Sequence, residues 1–322
     1  MNQPIHPSVS QWISRVIDDA GITDFTLLQT LWSGYGQCCR FFSPNTNQYL
    51  VAKAVQAQPA SAHPKGWNDA HSHQRKCKSY QIEQYFYQHY ATCSRAFTPQ
   101  LIACERHGDH ALTIMSDLNV AGFSQRHSKL TIEQAKPVLE WLACFHADFM
   151  QTNGHGLWAA GTYWHLSTRQ REWQTMATGL LKQHAPAISR QLDEARFTTL
   201  VHGDAKVANF CFDPAASKAA AVDFQYVGKG IGVQDVAYFI GSALNTDDQL
   251  YFTEHCLDYY FAALRRYWRS RIEVHAVEQE WRGLYAVACA DFQRFLEGWS
   301  PGHHKLNSVL NSYPCRALAA VK

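Results

Sequence analysis

The stretch LVHGDAKVANF, residues 200–210, sets a carboxylate at Asp204 and a carboxamide at Asn209 in a short polar turn between apolar residues. Further on, AAAVDFQ ends a second short apolar run with another carboxylate, Asp223, and the turn chemistry of DPAASK between the two runs predicts a hairpin. Such a hairpin would gather Asp204, Asn209 and Asp223. Two carboxylates and an amide oxygen are hard ligands and proton acceptors, suited to Mg2+ and to a hydroxyl nucleophile. In that arrangement Asp223 brings a full negative charge to the metal and Asn209 completes its coordination without adding more. Asp204 is left to orient a hydroxyl and accept its proton. The bland alternative makes Asp204 and Asn209 turn residues that satisfy their own backbone, which suits either one alone better than it suits the set.

Those residues need a scaffold, and the apolar patterning predicts two parts. From Phe25 to Val55, apolar runs separated by SGYG and SPNTN read as an antiparallel meander. A polar stretch to about Gln74 follows. Then KSYQIEQYFYQHYA carries Tyr80, Glu83, Tyr87 and Tyr90 at helical spacing. QLIACE and ALTIMSDL read as two more strands around a turn at Gly108 and Asp109. Beyond them the pattern is helical. Thr131 and Gln134 form a capping box ahead of a helix in which Pro137 would kink or delay the start, and two long amphipathic runs close the chain. The expectation is an α+β chain, with residues 1–115 a small antiparallel-sheet lobe with one main helix and residues 116–322 a larger, mostly helical lobe.

Composition narrows the function classes. Of 322 residues, 46% are hydrophobic and 17% charged, which suits a packed globular chain. A net charge of only +2 offers no footprint for nucleic acid or an anionic membrane. No secretory leader or membrane span is visible, so a cytoplasmic location is expected. The 10 cysteines include no C-x-x-C pair and read as reduced, mostly buried thiols. AHSHQ, with His71 and His73, lacks a second ligand pair at zinc spacing and reads as a solvated polar segment.

HGDAKVAN and VDFQ resemble the aminoglycoside phosphotransferase and choline kinase superfamily, relatives of the protein kinases. IMSDLNVAGF, WLACFHADF and CADFQRFLEGW look most like its bacterial ecdysteroid-kinase-like branch. The resemblance implies a bilobal protein-kinase-like fold and ATP- and Mg2+-dependent phosphoryl transfer. Within it, Lys53 in the strand YLVAKAV would meet the α- and β-phosphates, paired with Glu83 on the following helix. Gly34 and Gly36 of SGYGQCC either bring backbone N–H groups to phosphate or simply turn a hairpin. The backbone of Ile114, Met115 and Ser116 would receive the adenine ring, and Asp117 either caps the next segment or orients substrate. Lys206 either neutralises the moving phosphoryl group or is an exposed loop lysine. His202 supports the turn from inside, and His146 reads as a core histidine more readily than a catalytic one.

After Asp223 the chain FQYVGKGIGVQDVAYFI passes a glycine-rich turn straight into a helix, with Asp235 expected to tie that helix to the catalytic loop. No length remains for a peptide-docking segment, so the expected acceptor is a small hydroxyl-bearing molecule rather than a protein. Trp281, Arg282, Tyr285, Asp291, Phe292, Arg294, Glu297 and Trp299 could line an aromatic cage for a quaternary amine or a pocket for a bulky alcohol, or they could be core. Choline, ethanolamine or aminoglycoside kinases remain alternatives for the acceptor class, and a non-catalytic pseudokinase remains an alternative to all of them.

Overall fold

Alternation of side chains along each strand decides which face of the first sheet carries chemistry and which is core. The computed structural model of the chain describes residues 5–31, 34–56 and 70–320. It divides into two compact units, Met1–Thr92 with Thr98–Ser124, and Cys93–Phe97 with Gln125–Lys322.

The first unit runs α1 (Pro7–Ile17), β1 (Thr23–Thr30), β2 (Gly36–Ser43), β3 (Gln48–Val55), α2 (Ala70–His89), β4 (Leu101–His107) and β5 (His110–Ser116). The strands form one antiparallel sheet in the order β1-β2-β3-β5-β4. Leu50, Ala52 and Ala54 of β3 turn to one face, where they bury with Val9 and Ile13 of α1 and with Phe41, Leu112 and Ile114. Val51, Lys53 and Val55 take the opposite face, and there Tyr80 of α2 packs with Val55 and Leu31. The polar stretch expected to reach Gln74 is instead helical from Ala70. No Pro or Gly interrupts it there, and the hydrogen bond between Tyr35 Oη and His73 Nδ1, 2.7 Å, ties the first turns down.

The second unit runs α3 (Ile132–Asp148), α4 (Gln170–Thr175), α5 (Leu180–Asp193), β6 (Thr199–Val201), β7 (Phe210–Phe212), β8 (Ala219–Ala221), β9 (Gly228–Gly230), α6 (Gly232–Ala243), α7 (Thr246–Tyr267), α8 (Val274–Trp299) and α9 (Tyr313–Ala320). The capping box of Thr131 and Gln134 is present, and Pro137 lies inside α3 without delaying its start. β7 and β8 make the expected hairpin, its turn closed by Asp213 Oδ1 accepting from the N–H groups of Ser217 and Lys218. β6 does not join that hairpin. It pairs antiparallel with β9, so the glycine-rich segment expected as a turn is a short strand. Glycine suits it because the chain of Trp158 runs alongside: a Cβ on Gly228 would stand 2.3 Å from the Trp158 carbonyl oxygen. Trp141, Phe210 and Phe224 pack around the buried His202, and Phe145 packs behind them on Trp141 and Phe224.

Six of the cysteines, Cys39, Cys77, Cys144, Cys211, Cys256 and Cys289, are buried as small hydrophobes. Among the described residues no helix is long and apolar enough to cross a membrane.

Gly36 opens β2 at φ +142°, and a Cβ there would stand 2.0 Å from the Ala54 carbonyl oxygen; Gly34, at φ +74°, faces open space. Gly36→Ala is therefore expected to push β2 off β3 at a cost of about 3 kcal/mol. Gly34→Ala should cost only about 1 kcal/mol, the left-handed penalty of an L residue. Paired urea titrations check this, and equal losses in the two variants would contradict the register of β2 on β3.

Candidate active site

The turn after β6 is built around one backbone constraint. Gly203 has φ +78°, and a Cβ there would lie 2.1 Å from the Tyr226 carbonyl oxygen and 2.7 Å from the Thr162 amide, so only glycine fits between them. Asp235, at the first turn of α6, accepts from the backbone N–H of His202 at 2.6 Å and of Gly203 at 2.9 Å, one with each carboxylate oxygen. His146 bridges Asp235, at 3.2 Å, and Tyr260, at 2.8 Å, and is fully buried, which makes it a satisfied core histidine. His202 donates from Nε2 to the Val222 carbonyl, 3.0 Å, and accepts the Asp204 N–H at Nδ1, 3.2 Å. That single tautomer supports the turn from inside and spans it to the Asp223 strand.

On this frame the polar side chains converge. Asn209 donates from Nδ2 to the Asp204 carbonyl, 2.8 Å, and to Asp204 Oδ2, 3.1 Å. Both bonds use the amide nitrogen, so the amide oxygen is turned away from Asp204 and kept for another partner. Lys206 Nζ pairs with Asp204 Oδ2 at 2.9 Å. Burial works against that ammonium, but the carboxylates of Asp204 and Asp223 outweigh it and hold it above its ordinary value. Asp223 stands just after β8 at φ +70°, a left-handed conformation that costs a non-glycine residue about 1–2 kcal/mol. Gln225 donates to its Oδ1. Strain of this kind persists where the surrounding structure enforces it, and such positions cluster at functional sites. The amide oxygen of Asn209 and the carboxylate of Asp223 are the donor set a hard divalent cation takes.

Within the first unit, Lys53 and Glu83 form an ion pair at 2.7 Å, with the side chains 11% and 5% exposed. Alternation puts Lys53 on the α2 face of β3, and Glu83 is three residues beyond Tyr80 on the same face of α2, so the pair follows from the two periods. The Gly34 N–H donates to the Leu31 carbonyl at 3.0 Å and the Gly36 carbonyl accepts the Leu31 N–H at 2.8 Å, which closes a hairpin turn on itself; Trp32 and Ser33 lie outside the described residues. Ile114 and Met115 are flanked by β3 on one side and β4 on the other, and the Ser116 N–H donates to the Gln100 carbonyl at 2.9 Å. Asp117 pairs with Arg40 at 2.5 Å and accepts the Asn119 N–H at 2.8 Å, a capping role. His73 is not a solvated residue: its ligand atoms, with those of Cys77 and Asp109, lie within 4.8 Å of one another. Burial raises the Cys77 thiol above its ordinary value, and its Sγ lies 3.6 Å from His73 Nε2. The His71 side chain lies outside the described residues.

The profile of the ecdysteroid kinase-like family matches residues 76–155 and 159–271. The chain belongs to that family. Among solved structures this ecdysteroid kinase-like protein is similar to a microcompartment-associated aminopropanol kinase, at 13% identity and TM-score 0.56, covering 98% of this chain and 96% of that one. It is similar to an amicoumacin kinase in complex with AMP-PNP, Ca2+ and Ami, at 12% identity and TM-score 0.54, covering 98% and 91%. The ethanolamine kinase of Plasmodium vivax matches at 10% identity and TM-score 0.52, covering 97% and 85%. They share the protein-kinase-like fold. No curated protein matches the chain in sequence.

The C-terminal aromatic stripe of this family member is mostly core. Trp281 is fully buried and donates to the Phe197 carbonyl at 2.9 Å, and Phe292 packs with Trp164 and Tyr238. Arg294 and Asp291 make a buried pair at 2.8 Å, with Arg294 also donating to the Trp164 carbonyl. Arg282 pairs at the surface with Asp258 and Glu278. Sequence reading missed Tyr163, Tyr238 and Lys305, whose fields and contacts converge near Asp204. Tyr238 carried one signal, its place three residues after Asp235 on the same helix face; Lys305 carried none.

Asp235→Asn would point an amide N–H at one of the two backbone donors. The variant is expected to lose about 2–3 kcal/mol, the cost of a buried donor left unmet. Chemical denaturation measures it, and wild-type stability would show that the turn does not hang on Asp235.

Proposed function

We propose that this chain is an ATP- and Mg2+-dependent kinase that moves the γ-phosphoryl group of ATP to a hydroxyl of a small molecule. The observation that carries this reading is the Asp204–Asn209 turn, in which one amide fixes the candidate base while keeping its own oxygen for a cation. Asp204 orients the acceptor hydroxyl and takes its proton as the acceptor oxygen bonds to the γ-phosphorus and the bond to the bridging oxygen breaks, with ADP leaving. Asn209 and Asp223 would hold Mg2+, which when bound neutralises phosphate charge. Lys206, beside Asp204, offsets charge on the phosphoryl oxygens, and Lys53, held straight by Glu83, meets the remaining phosphates. Gly34 and Gly36 act as hairpin residues, and an adenine base would be met where β5 ends, at the backbone around Ile114, Met115 and Ser116. The segment after Asp223 supports a small acceptor: β9 and α6 follow at once, leaving no docking segment for a peptide.

Asp204→Asn is expected to keep Mg2+–ATP binding, read as a thermal shift, and to lose turnover by ~10² or more, the usual weight of a general base. Full turnover in that variant would remove Asp204 from the chemistry. Asp223→Ala should make nucleotide affinity the same with and without Mg2+, and an undiminished Mg2+ effect there would contradict the metal assignment.

The Lys53–Glu83 pair gives an independent test. Lys53→Met should raise the KM for ATP and lower kcat together, by about 10-fold or more, as loss of a charged hydrogen bond does. Glu83→Gln should act in the same direction more mildly. Steady-state kinetics at varied ATP separates these from a fold defect, since Glu83→Gln keeps the shape of the side chain.

A further inference from the structure

Helix α6 carries a second group three residues beyond Asp235, on the same face: Tyr238. Its hydroxyl lies 3.3 Å from that of Tyr163. Burial raises both phenols above their ordinary value, and Asp204 adds to the rise in each, so both hydroxyls stay protonated beside the candidate base. The ammonium of Lys305 stands 4.4 Å from the centre of the Tyr238 ring and 5.8 Å from that of Phe292. Asp204 therefore has Lys206 bonded to it and a second cation, Lys305, stacked on the tyrosine beside it.

Lys305 is placed by packing. In its turn the His303 N–H donates to the Ser300 carbonyl at 2.8 Å, the Leu306 N–H to the His303 carbonyl at 2.9 Å, and the Lys305 N–H to His303 Nδ1 at 3.2 Å. Leu306 and Leu310 pack on the cluster of Trp164, Tyr238 and Phe292. Within the described residues the Lys305 ammonium has no hydrogen bond and no ion pair, only the two rings. Rings offset part of the cost of a half-buried cation and take none of its three N–H donors. Burial pulls the Lys305 ammonium down to about 8, with Lys206 and Lys129 pushing the same way against Asp204. Lys206 and Lys305 thus bring two cations to Asp204, with the Asp223 carboxylate also acting on Lys206. The cavity of about 20 Å³ that Lys305 lines with Tyr285, Phe292 and Tyr313 has room for about one water and does not take an alcohol.

We propose that Lys305, stacked on Tyr238 beside Asp204, is the recognition group for an anionic substituent on the acceptor, a carboxylate or a phosphate. The substrate of this chain is then an acidic alcohol rather than an amino alcohol. An ammonium-bearing acceptor would enter a region where Lys206 and Lys305 stand near one base; an anionic one would take the unspent donors of Lys305 and set its hydroxyl at Asp204. This inference rests on the kinase reading above and makes Lys305 a binding residue.

The test measures ADP release by the full chain with Mg2+–ATP and three-to-six-carbon alcohols matched in length: hydroxycarboxylates, phosphate-bearing alcohols, uncharged diols and amino alcohols. The carboxylate and phosphate arms tell the two anions apart. One anionic series is expected to stimulate turnover and the amino alcohols are not. Lys305→Met should raise the KM of the active anionic alcohol about 10- to 100-fold, the range lost with a charged hydrogen bond, with the loss in KM rather than kcat. Lys305→Arg should recover much of it, and Lys305→Glu should shift preference towards amino alcohols. Amino alcohols or diols as the best acceptors of the wild type, no stimulation by either anionic series, or a Lys305→Met loss confined to kcat and equal for all acceptors would each overturn the proposal. The kinase reading fails separately, if Mg2+–ATP gives the wild type no thermal shift.

Discussion

One carboxylate holds the candidate site in shape. Asp235 accepts from two consecutive backbone amides, and those amides belong to the His202–Gly203 turn that no ordinary residue could make. A buried carboxylate costs several kcal/mol unless its oxygens are met; here they are met by His202, Gly203 and His146. The exchange fixes the turn, and the turn fixes the rest. Asp204 follows Gly203 directly, Asn209 closes back on Asp204, and His202 reaches the strand that ends in Asp223.

Because α6 supplies the carboxylate, it also sets the surroundings of the candidate base. Tyr238 lies one turn from Asp235, and the fixed turn after α8 lays Lys305 over its ring. The polar surroundings of Asp204 then come from three parts of the chain: Lys206 two residues on, the protonated Tyr163 ahead of α4, and Lys305 after α8. Electrostatic selection of an acceptor works through this kind of fixed field, since like charges brought together cost energy that no contact elsewhere returns.

Much of this could be read from the residues in order. The meander, the hairpin over DPAASK, the capping box at Thr131 and the meeting of Lys53 with Glu83 all follow from local rules, alternation in strands and three- and four-residue steps in helices. Where reading failed, a tertiary partner outweighed the local signal. The start of α2 looked like a polar loop until His73 found Tyr35, and the glycines of β9 looked like a turn until the Trp158 backbone ran beside them.

The amino-acid sequence by itself determined the Asp204 turn and its hairpin, because their residues lie within about two dozen positions of one another and turn chemistry is local. It determined the faces of β3 and α2 as well, because periodicity is intrinsic to each element. Only the tertiary structure decided that most of the C-terminal aromatic stripe is core, and that Lys305, stacked on Tyr238, lies near Asp204 about a hundred residues earlier in the chain. A lysine in a polar turn has no periodic pattern to declare its partner; its environment is set by which helices pack around it, and that is a property of the whole fold.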